Sequence, residues 1–267
     1  MGKIGKLKRI LARYGSAVVA FSGGVDSSFL LRTARDAMGA ENILAVTAVS
    51  DTYTKLELKN ARRFAKALGV RHKVIFTNEL KDKNFTENPK NRCYYCKKGL
   101  FEALDKIAGK EGLKYIFDAS NKDDEKDYRP GSAAKKEFGV KSPLAEAGFA
   151  KDDVRTYSRR LGLKTAGLPS MACLASRFPY GERITRAGLK EVETAEEFLK
   201  KLGIGQVRVR CHGGGIARIE VEKKDIKRFL NKGVCDKITK RLKRIGFSYI
   251  ALDLEGYRTG SLNEILK

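Results

Sequence analysis

Strand-sized apolar runs alternate with segments of helical periodicity over the first part of this 267-residue chain. The strand-like runs lie at 17–21, 43–49, 71–76 and 115–118, and the helical segments at 26–38, 55–68 and 99–108. This alternation is typical of a parallel sheet, so we predict an α/β fold with helices on both faces of the sheet. Because ligands of such sheets bind beyond the carboxyl ends of the strands, the loops at those ends are candidate sites.

The pattern changes in the last third of the chain. Residues 168–186 form an irregular segment with two prolines. Beyond this segment the pattern predicts, in order, a helix at 187–202, strands at 206–211 and 216–221, a helical pair, and a strand near 250–254. We therefore predict two domains, a parallel α/β domain at 1–180 and a smaller α+β domain at 181–267.

The loop after the first apolar run reads Ser22-Gly-Gly-Val-Asp-Ser-Ser28. Gly23 and Gly24 permit close approach of an anion to the backbone, and N–H groups at the start of the next helix can face it. Three serine hydroxyls add further donors. The loop lacks the Gly-Lys-Ser/Thr ending of a Walker A motif, which argues against ordinary P-loop phosphoryl transfer. Asp26 could cap the helix, and it could also bind Mg²⁺.

Three of the five cysteines fall in two short motifs, Cys93-Tyr-Tyr-Cys96 and the segment PSMACLASRFPYG around Cys173. Three thiolates match an iron–sulfur cluster with one iron left open, whereas structural zinc takes a fourth protein ligand. Cys211 or Cys235 could complete a zinc site, although we interpret both as structural. Spacing alone equally allows Cys93 and Cys96 to be small buried residues or part of a zinc knuckle.

The string Ser-Gly-Gly-x-Asp-Ser resembles the PP-loop of the N-type ATP pyrophosphatases. This resemblance implies adenylation: ATP activates a carboxylate or carbonyl oxygen as an AMP ester, pyrophosphate departs, and a nucleophile displaces AMP. The strand, loop and helix occur in the order that such a motif requires.

A closer resemblance covers nearly the whole chain. It rests on SGGVDSSFLL, NRCYYCKK, Asp118-Ala-Ser-Asn121 with the following DYRPG, SPLAEAGFAKDDVR, PSMACLASRFPYGERI and LDLEGYRTGSLNE, all in the family's order. The chain thereby resembles the LarE family. Its members are ATP-dependent sulfur transferases that thiolate pyridinium-3,5-biscarboxylic acid mononucleotide on the route to the nickel-pincer cofactor of lactate racemase.

The resemblance implies one of two sulfur sources. In one branch of the family a single cysteine, matching Cys173, gives up its sulfur and ends as dehydroalanine. In the other branch the additional pair matching Cys93 and Cys96 completes a three-cysteine [4Fe-4S] site. Because this chain has all three cysteines, we assign it to the cluster branch.

The resemblance also implies ATP, Mg²⁺ and a [4Fe-4S] cluster as cofactors. The residues expected to bind ATP are Ser22, Gly23, Gly24, Val25, Asp26, Ser27, Ser28, Ala48, Ser50 and Asn121. Beside the cysteines, Lys97 or Lys98 is expected to neutralise phosphate charge, although a solvated helix start explains these lysines nearly as well. Asn121 could instead belong to an Asx-rich turn.

Arginines are the candidates for binding an anionic small-molecule substrate. Alternation in VRVR places Arg208 and Arg210 on one strand face near a glycine-rich turn, where they would suit a phosphate. A simple exposed antiparallel face explains this pattern equally well. Arg177 and Arg183, close to Cys173, are further candidates.

The net charge of +23 favours phosphate-bearing partners and supports the alternative of a cluster-dependent tRNA thiolase. No apolar run is long enough to cross a membrane, so we expect a soluble, cytoplasmic protein. The family resemblance further favours a ring-like homo-oligomer, and the sequence leaves the source of sulfide open.

Overall fold

The computed structural model describes residues 2–125, 130–169 and 172–266. Residues 127–129 of the DYRPG motif and residues 170–171 of the Cys173 motif lie outside the described residues. The helices are Lys3–Tyr14 (α1), Val25–Met38 (α2), Lys55–Leu68 (α3), Lys83–Thr86 (α4), Arg92–Glu111 (α5), Gly131–Glu137 (α6), Pro143–Glu146 (α7), Lys151–Arg160 (α8), Arg186–Lys201 (α9), Lys223–Ile226 (α10) and Lys232–Ile245 (α11). The strands are Ala17–Ala20 (β1), Ile43–Val49 (β2), Arg71–Phe76 (β3), Tyr115–Phe117 (β4), Val207–His212 (β5), Ile216–Val221 (β6) and Tyr249–Leu252 (β7).

The chain forms two compact units. The first comprises Met1–Glu79 and Asn91–Met171, and the second comprises Leu80–Lys90 and Ala172–Lys267. The sequence pattern placed the boundary at residue 180 and left 80–90 in the first domain. Thr86 and Asn88 form hydrogen bonds with residues 178–184 of the second unit, which local periodicity does not reveal.

The first unit contains a parallel sheet in the order β3-β2-β1-β4. Its core has two layers, one where α1, α2 and α8 pack around Phe29 and Phe149, and one where α5 packs Phe101 and Leu104 against the opposite face. These four side chains are fully buried, and each such burial stabilises the fold by roughly 1.5–3 kcal/mol. The predicted parallel α/β architecture is confirmed. Strand β4 pairs with β1 on the edge opposite β2, so the strand order reverses between β1 and β4. The carboxyl ends of these two strands therefore border a topological switch point.

The second unit contains a smaller mixed sheet in the order β5-β6-β7. Strands β5 and β6 are antiparallel, with Arg208 opposite Glu220 and Arg210 opposite Arg218, and β7 runs parallel to β6. The predicted smaller α+β region is therefore confirmed. In the part of the chain that the structure describes, no helix has the length and apolarity needed to span a bilayer.

Asn88 anchors the 80–90 segment within the second unit. Its side chain is fully buried, and Nδ2 donates to the carbonyl oxygens of Phe178 at 3.3 Å, Pro179 at 2.6 Å and Glu182 at 3.0 Å. Its own carbonyl accepts from the N–H of Gly181 at 2.9 Å. Asn88 also has a φ of 56°, in the left-handed region that asparagine tolerates better than most residues.

We expect Asn88→Ala to lower the free energy of unfolding by about 2–4 kcal/mol, because buried carbonyls lose their donor and alanine is strained at this φ. Asn88→Gly removes the donor without the strain and should cost about 1 kcal/mol less. Urea denaturation of the three proteins measures both values. Equal stability of wild type and Asn88→Ala would show that this amide is no anchor.

Candidate functional site

The loop between β1 and α2 brings its backbone close to α3. Gly23 has a φ of 74°, and a Cβ atom added there would lie 3.1 Å from the Cβ and 3.2 Å from the backbone N of Ala61. Gly24 then caps α2 with an extended backbone, and its carbonyl accepts from the N–H of Ser28 at 3.0 Å. Both glycines therefore let the chain turn directly from a buried strand into a helix N-terminus, which is a favourable place for an anion.

Hydroxyl groups surround this helix start. Ser22 Oγ lies 3.1 Å from Ser27 Oγ, which also donates to the carbonyl of Gly24 at 3.3 Å. Ser28 is fully buried, and its Oγ has no hydrogen-bond partner among the described residues. A buried hydroxyl without a partner costs free energy, so Ser28 is a donor that a bound phosphate oxygen could satisfy.

Two residues that the sequence analysis did not single out bind the backbone around the loop after β1. Thr47 lies on β2, and Tyr53 lies in the turn that follows β2. Tyr53 donates its hydroxyl to the carbonyl of Ser22 at 2.6 Å, and burial raises the pKa of that hydroxyl, which keeps it protonated. Thr47 donates to the carbonyl of Phe21 at 2.7 Å and lies 2.8 Å from His72 Nε2. A polar residue inside an otherwise apolar strand was the signal for Thr47.

Asn121 lies against Asp26 at the switch point beside β4. The Asn121 side chain is buried, and its Nδ2 donates to Asp26 Oδ1 at 3.3 Å. The pKa of Asp26 is raised, first by burial and further by the charge of Asp124, although the bond from Asn121 opposes both. Asn121 also forms an Asx turn, since its Oδ1 accepts from the N–H of Asp123 at 3.0 Å. The turn interpretation of Asn121 is therefore confirmed, and its contact with ATP stays a prediction. The N-cap of α2 is Gly24, without a side-chain cap hydrogen bond, so the interpretation of Asp26 as the cap is wrong.

We expect Asp26→Asn to stabilise the unliganded protein near pH 7 and to weaken binding of Mg-ATP. Because the pKa is raised, the ionised carboxylate costs folding free energy above its folded-state pKa. That cost disappears as the pH falls below 3.8, the ordinary value, where the folded and unfolded carboxyl groups are both protonated. Melting temperatures at several pH values and calorimetric titration with Mg-ATP measure the two effects. A variant that melts below wild type near pH 7 contradicts the first.

Ala48 and Ser50 lie at the carboxyl end of β2 and are half-buried. Ser50 Oγ lies 3.0 Å from Thr52 Oγ1, and the Ser50 carbonyl accepts from the N–H of Tyr53 at 3.1 Å. This turn therefore carries Tyr53 to the loop after β1. The end of β2 stays a prediction for the adenine side of an ATP site.

Helix α5 begins at Arg92, before the predicted start at residue 99, so Cys93 and Cys96 lie one turn apart on it. Cys93 is exposed and Cys96 is half-buried, so the interpretation of both as small buried residues is wrong. Cys96 Sγ lies 4.0 Å from Glu79 Oε1. Lys98 forms an ion pair with Glu137 at 3.2 Å, which raises the pKa of the lysine, as expected for a solvated helix start.

In the second unit, Cys173 is exposed at the start of a short 3₁₀ turn over residues 174–177. Arg177 is buried and forms a bidentate pair with Glu196 of α9, with N–O distances of 2.7 and 2.9 Å. Arg183 is exposed. Across the described residues, no group of three or more His, Cys, Asp and Glu side chains converges as metal ligands.

Arg208 and Arg210 lie on one face of β5, as predicted, but that face is covered. Each is 6% exposed, so the interpretation as an exposed strand face is wrong. Arg210 pairs with Glu220 at 2.8 Å, and the Arg208 guanidinium lies 5.3 Å from the centre of the Tyr257 ring. Burial lowers the pKa of Arg208, and the charge of Arg177 adds to this. Crowded, desolvated guanidinium groups favour an anion nearby.

The other two cysteines, Cys211 and Cys235, lie outside the two cysteine motifs. Cys211 on β5 is half-buried, and burial raises the pKa of its thiol to about 11. A thiol with a raised pKa is a poor nucleophile and a poor ligand at neutral pH. Cys235 is exposed on α11. The prediction that Cys211 is structural agrees with its environment.

Comparison with known proteins decides the family. The family model for NAD synthase matches residues 6–98, which include the loop after β1. A protein of Lactiplantibacillus plantarum, named pyridinium-3,5-bisthiocarboxylic acid mononucleotide synthase, is 39% identical over 248 residues, or 93% of this chain and 89% of that protein. The chain belongs to the LarE family. An uncharacterized protein of Synechocystis sp., slr1717, is 42% identical over 99% of this chain and 98% of its own length.

Membership of the LarE family confirms the resemblance that the motifs indicated. The chain is an ATP-using sulfur transferase with a PP-loop domain. An NH(3)-dependent NAD(+) synthetase of Methanococcoides burtonii shares 42% identity over only 65 residues, 24% of this chain and 25% of that protein. The likeness to NAD synthetases is therefore partial, whereas the likeness to the LarE relative extends over both units.

Proposed function

We propose that this LarE-family enzyme adenylates a carboxylate of pyridinium-3,5-biscarboxylic acid mononucleotide, or of a similar anion, and replaces oxygen by sulfur. The observation that carries the proposal is the glycine–serine loop at the start of α2, in a chain 39% identical to a relative named for a bisthiocarboxylic acid mononucleotide. The product would serve nickel-pincer cofactor biosynthesis.

The proposed reaction has two steps. First, a carboxylate oxygen of the substrate attacks the α-phosphorus of Mg-ATP, the bond to the bridging oxygen breaks, and pyrophosphate leaves. Second, a sulfur nucleophile attacks the acyl carbon and AMP leaves, which gives a thiocarboxylate. The N–H groups of residues 23–28 and the hydroxyls of Ser22, Ser27 and Ser28 would bind the phosphates. Asp26 would bind Mg²⁺, and Asn121 would orient the Asp26 carboxylate through its hydrogen bond.

Cys93, Cys96 and Cys173 would be the donor set for a [4Fe-4S] cluster. The fit is chemical: two thiols lie one turn apart at the start of α5, the third begins a short turn, and none of the three is fully buried. Such a cluster, when bound, supplies one iron position that no protein ligand takes. Lys98, whose ammonium group pairs with Glu137 at 3.2 Å, would neutralise phosphate charge.

Sulfur donation from Cys173 itself is the alternative source. The Cys173 thiolate would attack the acyl adenylate to form a thioester as AMP leaves. Loss of the Cα proton and cleavage of the Cβ–S bond would then release the thiocarboxylate and leave dehydroalanine. Cys173 takes part in both routes, but only the cluster route requires Cys93 and Cys96.

Arg183, Arg208 and Arg210 are the proposed contacts of the substrate phosphate, whereas the Arg177 guanidinium is bound to Glu196 and does not take that role. We also propose a cytoplasmic homo-oligomer. A tRNA thiolase is the second candidate, because a net charge of +23 favours a polyanionic partner. Salt-dependent tRNA binding and the loss of thiolated bases in a deletion strain would support it.

Anaerobic reconstitution with iron and sulfide tests the proposal. Wild type, Cys93→Ala, Cys96→Ala and Cys173→Ala are compared for iron, acid-labile sulfide, visible and EPR spectra, and for pyrophosphate release with the pyridinium dicarboxylate. About four irons per chain in wild type, lost in every variant, supports the cluster route. A colourless wild type that loses the elements of hydrogen sulfide at Cys173 after a single turnover supports donation by Cys173. Absence of pyrophosphate release with this substrate and with related carboxylate anions overturns the proposed function.

A further inference from the structure

A buried arginine binds the backbone of the segment that carries Cys173. Arg177 is 3% exposed, and its Nη1 donates to the carbonyl oxygen of Ala172 at 2.7 Å and to that of Cys173 at 3.1 Å. The same nitrogen lies 3.0 Å from Ser176 Oγ. The carbonyl of Cys173 also accepts from the N–H of Ser176 at 3.0 Å. The Cys173 peptide is therefore bound both by the guanidinium and within its own turn.

The other edge of this guanidinium meets Glu196, which extends the connection to the sheet. Glu196 is 3% exposed and receives two parallel hydrogen bonds from Arg177. Its Oε1 also accepts from the N–H of Val209 on the edge strand β5 at 3.2 Å. Burial alone would raise the pKa of Glu196, but the charge and hydrogen bonds of Arg177 outweigh burial and lower it. The carboxylate thus joins the Cys173 segment to α9 and to β5.

A second buried pair acts on the same turn. Arg210 forms a bidentate pair with the fully buried Glu220, at 2.9 and 2.8 Å. Its Nη1 donates to the carbonyl of Ser176 at 2.6 Å. Guanidinium groups of two buried ion pairs therefore bind three carbonyls of residues 172–176.

These two buried pairs fix the orientation of the 172–176 backbone more than they add to the free energy of unfolding. A 3₁₀ turn of four residues has little stability of its own. Buried ion pairs are expensive to desolvate, and apolar residues of the same volume are often as stabilising. Bidentate, charge-assisted hydrogen bonds are, however, directional, so they restrict the backbone to one geometry. The exposed side chain of Cys173 is attached to this restricted backbone.

We propose that Arg177 and Glu196 are positioning residues for Cys173: the pair orders the backbone of residues 172–176, and this backbone sets the direction in which Cys173 presents its sulfur. The inference rests on the proposed function for the part that Cys173 takes in sulfur transfer. It differs from the substrate contact expected for Arg177, because the guanidinium here binds Glu196 and protein carbonyls.

Arg177→Lys and Glu196→Gln test the pair, and Arg228→Lys is the matched control. Arg228 also donates to two carbonyls of the second unit, those of Gly203 at 2.9 Å and Leu202 at 2.6 Å, and it pairs with Asp225. Those partners lie outside the Cys173 segment. The readouts are hydrogen exchange of peptides that cover 172–178, alkylation of Cys173 by iodoacetamide, pyrophosphate release and sulfur transfer.

We expect both test variants to keep pyrophosphate release while sulfur transfer falls about 10- to 100-fold, because misplacing a reacting atom is costly. Exchange in 172–178 should accelerate at least about 10-fold in Arg177→Lys, and less in Glu196→Gln, which retains hydrogen-bonding atoms. Arg228→Lys should leave exchange in this segment, alkylation of Cys173 and sulfur transfer unchanged.

Unchanged exchange and alkylation in both test variants would overturn the proposal. So would an equal fall in pyrophosphate release and sulfur transfer, because that is the result of general destabilisation. If wild type transferred no sulfur, the proposed function would fail, while exchange and alkylation would still report on the pair.

Discussion

Gly23→Ala is expected to weaken ATP binding by up to about 100-fold. An alanine at a φ of 74° is strained by about 1–2 kcal/mol, and its Cβ would contact Ala61 at 3.1 Å, which adds about 1 kcal/mol or more. The loop can relieve the contact only by moving away from α3. A change of about 3 kcal/mol in the geometry that binds phosphate corresponds to about 100-fold in affinity. Calorimetric titration with Mg-ATP measures it.

Gly15→Ala is the matched control for this substitution. Gly15 has nearly the same φ, 77°, but an added Cβ there meets no atom within 4 Å. Gly15→Ala should therefore carry the backbone strain alone, with a lower melting temperature and unchanged affinity for ATP. If the two variants bound ATP equally well, the close approach of the loop to α3 would have no role in binding.

The parts of the first unit that could be predicted are those that local sequence patterns determine. Strands β1 and β2 are continuous apolar runs, α2 and α3 have helical periodicity, and the loop after β1 has a glycine pair where the backbone must approach closely. The start of α5 was missed because residues 92–98 are polar and aromatic without an apolar stripe. Tyr53 was missed because its bond to Ser22 joins residues far apart in sequence.

In the second unit, local sequence patterns predict the strand face of the charged residues but not their burial. The alternation in VRVR correctly predicts that Arg208 and Arg210 lie on one face of a strand, because successive side chains of a strand point to opposite faces. Their burial could not be predicted, because it depends on Tyr257 and Ser261, which reach these arginines from the far end of the chain. The anchoring role of Asn88 is equally non-local, because its partners follow it by some ninety residues. Local patterns identify elements, and long-range hydrogen bonds decide which charges are available to a ligand.

Cys173→Ala is expected to reduce sulfur transfer at least about 10³-fold while adenylation continues. Both proposed sulfur sources require this thiol, and its loss removes a reacting or ligating atom rather than an orienting one. Adenylation depends on the loop after β1, so pyrophosphate release and the affinity for Mg-ATP should stay within about twofold of wild type, a factor worth less than the ~1.4 kcal/mol of a tenfold change.

The matched control is Cys235→Ala, which removes another exposed thiol of the second unit. It should retain full sulfur transfer. Single-turnover assays of thiocarboxylate, run beside pyrophosphate release, separate the two steps. Transfer that survives in Cys173→Ala would mean that sulfur reaches the acyl adenylate without this residue. Cys93→Ala and Cys96→Ala then distinguish the two sources, because only a cluster needs them, whereas donation from Cys173 would leave both variants active for one turnover.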